Sequence, residues 1–411
     1  MTTPDRSDPR SPQPRPVPPA GPDPRPRSRR RAAVIGAAAL ALLVAVAVII
    51  VTGLRSGPGD GVIDRPGADE DGPDSADGVD AVDLGSAALG DLVAVGGESH
   101  DEAVEDMVVA ELGDGTPVAV TGADDGARIW DVRTGELTGV HEEDYGGSGV
   151  ELDVLTVEGR TMVYSRDWSN WTQALWPVDD PAQRVDTSGG HDIEIKWVGP
   201  WDGDVPVYID EFGSVTELTT GEELEYVSHP YFTFWTVVEI GGERRGVGIP
   251  DTDGVYVTED RIVVSDLESG ESIGEDFEPI TDKVADDITA FTTGRIGDLT
   301  LAVTAVRALD AGTVQVWNLE TAEQYAAMTH AADLDVQGAE LALIDDRPVV
   351  LVWGAQGLNL FDVESGQQIG ETFAAPEDGE VTAASVTEAD GHPVAVTGTS
   401  EGRVAVWSLG S

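Results

Sequence analysis

Pro117-Val118-Ala119-Val120-Thr121-Gly122 recurs, residue for residue, as Pro393-Val394-Ala395-Val396-Thr397-Gly398. The two strings lie 276 residues apart, six periods of 46. Weaker copies start near Thr161, Val205, Arg245, Thr300 and Pro348, which makes seven units. Self-similarity at such a period marks a repeat architecture, in which each unit buries its apolar face against the next. The string itself reads as a β-strand, and its leading proline fits because a strand can open on a residue without an N–H.

Working outward, the first unit divides into four strands. Strand a covers about Val104–Leu112 and turns at Asp114-Gly115, a dipeptide suited to a tight hairpin. Strand b is Pro117–Thr121, the turn Asp124-Asp125-Gly126 leads to strand c at Ala127–Val132, and Thr134-Gly135 leads to strand d. No long helical period interrupts residues 89–411. Four antiparallel strands per period make one blade of a propeller, so the predicted fold is all-β, a seven-bladed β-propeller over 89–411. The last copy stops at Ser411, directly after its third strand. The β-like stretch Asp91–Gly96 is therefore expected to supply the fourth, removing sheet edges that invite aggregation.

Strand c closes on Trp130-Asp131, with counterparts Trp317-Asn318, Phe361-Asp362, Trp407-Ser408 and Ser265-Asp266. Gly190-His191 stands before a strand a, and His100, His141, His229 and His330 hold similar places. In these residues the chain resembles the WD40-repeat β-propeller family, in its membrane-anchored bacterial form. The resemblance spans about 320 residues, good in blades 1, 5, 6 and 7 and poor in blades 2 to 4. It implies a buried hydrogen-bond network of histidine, hydroxyl, turn aspartate and tryptophan. Here that would be His100, Thr121, Asp124 and Trp130, with His191, Trp317, Phe361 and Trp407 at matching positions in other blades.

Ahead of the repeats, Ala32 to Leu54 is a 23-residue run without a charge, long enough to span a bilayer as a helix. Arg29, Arg30 and Arg31 abut its start, so the positive-inside rule places residues 1–31 in the cytoplasm and the propeller outside. The predicted organisation is a disordered Pro/Arg-rich tail (1–31), a retained single-pass transmembrane helix (32–54), an acidic Gly/Pro/Asp-rich stalk (55–88) and the propeller.

The formal net charge is −53, unevenly spread: residues 1–31 carry +5 and the remaining 380 carry −58. Such a surface repels phosphates, which excludes nucleic acid as a partner of the main body. The chain has no cysteine, and hence no disulfide, thiolate metal site or thiol nucleophile. No pair of its six histidines has zinc-site spacing. Asp251-Thr252-Asp253-Gly254 is an incomplete calcium loop, with Val255 where the third oxygen ligand belongs. Neither a metal nor a cofactor is therefore expected.

The Asp-x-x-Thr/Ser-Gly segments are also similar to quinoprotein propellers. However, Gly139, Gly274 and Gly370 stand where that repeat places its docking tryptophan. A lactonase-like hydrolase or a small-ligand or cation binder acting through the central channel is the alternative to an interaction platform. The predicted role is a membrane-tethered, extracytoplasmic scaffold or sensor for an unidentified protein, without enzymatic activity. Its candidate contacts are Trp168, Trp171 and Trp201 in the aromatic-rich sector of blades 2 and 3, because exposed aromatics bury much area at small entropic cost.

Overall fold

A computed structural model describes residues 84–410, apart from 98, 144–148, 168–171, 186–194, 203–204, 229–231, 251–260, 275–276, 278–286, 308–310, 332–334 and 375–378. These residues form seven antiparallel sheets arranged as the blades of a propeller. The second strands begin at Pro117, Arg160, Pro206, Glu243, Leu299, Arg347 and His392, each within two residues of its expected copy. Blade 1 runs Asp106–Glu111, Pro117–Ala123, Gly126–Asp131 and Leu137–His141, the expected a-to-d order. Blades 3, 5 and 6 also have four strands. In blades 2 and 4 three strands are described, and single bridges, Leu175 to Val185 and Ser265 to Ser272, mark the outer position.

Blade 7 joins the two ends of the described chain. Its strands Val381–Ala389, His392–Thr399 and Val404–Ser408 are completed by Leu92–Val95, with Leu92 opposite Trp407 and Val95 opposite Ala405. The N-terminal strand thus closes the ring as the sequence predicted. Packing begins earlier than residue 89, the expected boundary of the stalk. Leu84 opens a short 3-10 turn, Leu84–Ser86, and is buried in the seam between blades 7 and 1. The expected tail, the apolar run 32–54 and the stalk up to residue 83 lie outside the described residues. Among the described residues no helix is long and apolar enough to cross a membrane.

Each seam between neighbouring blades has its own apolar cluster, and the innermost strands meet in cyclic order. This is why the decisive string alternates so little in polarity. A strand flanked on both faces by other blades buries successive side chains on opposite sides. Val118 and Val120 face blade 2, while Ala119 packs with Trp130 toward blade 7. The string's terminal glycine has a packing cause too. A Cβ on Gly122 would lie 2.6 Å from Val150 Cγ1 of blade 2, and one on Gly398 would lie 2.4 Å from Val104 Cγ1 of blade 1. Both repeats end in glycine because the next blade's valine occupies that space.

Candidate functional site

The best-formed polar constellation is in blade 1. Trp130 Nε1 donates to Thr121 Oγ1 at 2.8 Å, and Thr121 Oγ1 meets His100 Nε2 at 2.7 Å. His100 Nδ1 bonds the carboxylate of Asp125. A single direction of donation satisfies the chain: Trp130 N–H to Thr121, Thr121 O–H to His100 Nε2, and His100 Nδ1–H to Asp125 (the tautomer follows from these partners). The imidazole is then neutral. Consistently, burial holds His100 below its ordinary pKa and outweighs the opposing pull of Asp125.

The turn aspartate of this network is Asp125, not the expected Asp124. Asp125 also pairs with Arg128 at 2.7 Å and accepts from the Asp101 backbone N–H, whereas Asp124 Oδ1 is buried with no hydrogen-bond partner among the described residues. Of the two adjacent carboxylates in the turn, it is the second that reaches the histidine.

Among the described residues of other blades, the tryptophan–hydroxyl bond recurs. Trp317 bonds Thr304 at 3.0 Å, Trp407 bonds Thr397 at 3.0 Å, and Trp176 bonds Ser165 at 3.2 Å. In blade 6 the tryptophan is replaced by Phe361, which has no N–H, and the position matching Thr121 is Val352. Donor and acceptor vanish together, leaving no polar atom unsatisfied. In blade 4 the third strand has Ser265 at this place, and the indole comes instead from Trp235 on the first strand. Its Nε1 would be 2.8 Å from a Cβ on Gly246, so the glycine makes room for it. At the seam with blade 2, His141 of blade 1 stacks on Trp176 at 4.6 Å and bonds the Pro181 carbonyl. The tryptophan–hydroxyl bonds tie strands within one blade, and His141 ties blade 1 to blade 2.

Of the three tryptophans expected to contact a partner, Trp168 and Trp171 lie outside the described residues, as does His191. Trp201 is 5% exposed, packed between blades 3 and 4 under Arg244 and bonded to Glu225. It follows Pro200 at the end of a strand, and its ring turns inward to cover that seam. Among the described residues of this sector, the exposed aromatics are others. Phe212 and Tyr226 are 64% and 66% exposed. Phe212 occupies the turn between the second and third strands of blade 3, and Tyr226, which ends the fourth strand, pairs with Ser214 just beyond that turn. The Tyr226 ring reaches within 3.4 Å of the space above Gly213, beside Phe212. Two neighbouring aromatics therefore stand in solvent on one rim. A phenylalanine in a turn otherwise built from Asp210, Glu211 and Gly213 was the available sequence signal.

Around the axis, carboxylates on the first strands tie neighbouring blades together. Asp106 accepts from Leu152 N at 2.7 Å, Glu105 from Val150 N at 2.7 Å, and Glu340 from Val386 N at 3.2 Å. Burial pushes both Asp106 and Glu340 up to about 7. Among the described residues no three histidines or carboxylates converge as metal ligands would.

No protein-family model matches the chain, and no curated protein does. Among solved structures it is similar to one described as the structure of the Dos1 propeller. The identity is 10% and the TM-score 0.48, covering 76% of this chain and 93% of that one.

Proposed function

We propose that this chain is a WD40-type propeller serving as a protein-binding platform. It would be held at the membrane by residues 32–54, with residues 1–31 in the cytoplasm and the propeller outside. The observation that carries the reading is the Phe212–Tyr226 pair. Aromatic side chains about two-thirds exposed are poor choices for solubility and good anchors for a partner, because they offer large area with few rotamers to freeze. The same connection in blade 2 carries Trp168 and Trp171 in sequence, which adds aromatics to the same kind of turn. Tethering rests on the uncharged run 32–54 and its arginine flank. The described polar networks hold blades together, which favours a scaffold over a catalyst.

The test is recovery of partners from membranes with the full chain and with Phe212→Ser/Tyr226→Ser. The double variant is expected to melt like wild type and lose the partner. Undiminished recovery rejects the rim as the contact surface.

A further inference from the structure

The fourth strand of blade 3, Glu223–Tyr226, is exposed along its whole length. Tyr226 pairs with Ser214 and Glu225 with Val215, but Glu223 pairs with Thr216, so Leu224 is an extra residue on the outer strand. Alternate residues of the third strand share a face: Ser214 and Thr216 bond each other at 3.3 Å, and Val215 lies in the seam with blade 4. Glu225 follows Val215 and bonds Trp201 in that seam. The bulge returns Glu223 to the face of Tyr226, about 7 Å along the strand. Phe212, with Glu211 before it, stands in the turn that leads to Ser214. Each exposed ring thus has a carboxylate beside it, Glu211 next to Phe212 in sequence and Glu223 on the face of Tyr226.

Neither of these two carboxylates has a hydrogen bond or a counter-ion among the described residues. Other blades supply their own cation. In blades 1, 4 and 6 an arginine pairs with the carboxylate that ends the third strand: Arg133 with Asp131, Arg245 with Asp266 and Arg347 with Asp362. In blade 3 that carboxylate is Glu217, bonded by Thr219 and Thr220. Residues 185–243 contain 13 Asp and Glu but a single Lys or Arg, Lys196, which lies on the first strand of the blade. A cation is what this rim lacks. Its charge would be met by Glu211 and Glu223, and the faces of Phe212 and Tyr226 attract cations through the ring quadrupole. A phosphate or an anionic lipid surface would be repelled by the same carboxylates, and a purely apolar segment would bury them without a partner.

We propose that the Phe212–Tyr226 rim receives a basic segment of the partner protein, whose arginine or lysine side chains lie on the two rings between Glu211 and Glu223. The existence of a protein partner rests on the platform reading; the preference for a cation rests on the charges of this rim. Arginine is the better fit, because its planar guanidinium stacks on an aromatic face and gives a carboxylate two parallel N–H bonds. The contact weakens as salt is raised, since the rim is open to water.

The probe is a short peptide alternating arginine with alanine. It is titrated by fluorescence anisotropy into the full-length chain in phosphatidylcholine nanodiscs, beside versions with glutamine or glutamate in place of arginine. The expected result is saturable binding of the arginine peptide alone, weakened several-fold by Phe212→Ser/Tyr226→Ser and by Glu211→Lys/Glu223→Lys. Tyr226→Phe, which keeps the ring, should bind like wild type. So should Glu320→Lys/Glu323→Lys, the same charge change near the exposed Tyr325 of blade 5. Unchanged melting temperatures show that each variant is folded. No binding of the arginine peptide, equal binding of the glutamine peptide, or equal weakening by the blade 5 variant overturns the proposal; the last would mean that bulk acidity alone draws the peptide. Partner recovery from membranes that survives Glu211→Lys/Glu223→Lys but is lost with Phe212→Ser/Tyr226→Ser also overturns it, while leaving the platform reading intact.

Discussion

Replacing Gly398 with alanine places one methyl group where the ring closes. The new Cβ would stand 2.4, 2.6 and 3.0 Å from Cγ1, Cβ and Cγ2 of Val104, against the roughly 3.5–4.0 Å of an ordinary carbon contact. Val104 is fully buried, in a seam cluster that includes Trp130, Ala383 and Val396. It has no free space to enter, and a β-branched side chain has no flexible end to swing aside. Overpacking of this kind costs about 1–3 kcal/mol. With an unfolding entropy near 2.1 cal/mol/K per residue, a domain of roughly 320 residues would lose ~1.5–4.5 °C in melting temperature. The assay is urea unfolding of wild type, Gly398→Ala, Val104→Ala and the double variant, with Gly113→Ala as control because a Cβ there meets nothing within 4 Å. The midpoint should fall for each single seam variant with an unchanged slope, and the double should be less destabilised than the sum. Strict additivity, or a Gly398→Ala midpoint no lower than that of Gly113→Ala, would refute the packing argument.

Three further outcomes follow from the blade chemistry. Asp125→Ala leaves His100 Nδ1–H buried without an acceptor and should cost about 1–3 kcal/mol, while Asp124→Ala should change the urea midpoint little. Thr397→Val should cost stability in wild type and much less beside Trp407→Phe, as the natural Val352 and Phe361 pair of blade 6 implies; calorimetry of the four-member cycle reads this coupling. Stability should also fall as pH rises from about 4 to about 7 and level off above, because Asp106 and Glu340 have folded values raised to about 7. A raised carboxyl contributes stability present below its unfolded value and lost as pH passes its folded one. His100, held low, acts in the opposite sense on the acid side. Asp106→Asn with Glu340→Gln should flatten the fall in melts between about pH 4 and 7.

The ring was legible because strand b is buried on both faces, which leaves the repeated string few substitutions and explains even its glycine. The closing strand was legible from a seventh unit one strand short and an unassigned β-like stretch before the first. Blades 2 to 4 were harder to read for a physical reason. Trp235 supplies from the first strand the ring that the third strand lacks, so the spacing that marks the other blades is absent. Asp124 and Asp125 are alike in sequence, and only the path of the turn decides which meets His100. Trp201 and Phe212 show the same limit at the surface. An aromatic after Pro200 packs inward and one at a turn tip points outward, a difference set by the seam with blade 4 and not by local composition.

The most direct test of the platform places a photo-activatable phenylalanine at position 212, at 226, or at 325 in the full-length chain in cells. Tyr325 is the control, an aromatic 43% exposed on the outer strand of blade 5. A protein cross-linked reproducibly from 212 and 226 but not from 325 is the expected result. No adduct from either rim position, or the same adduct from all three, would contradict a binding surface on blade 3.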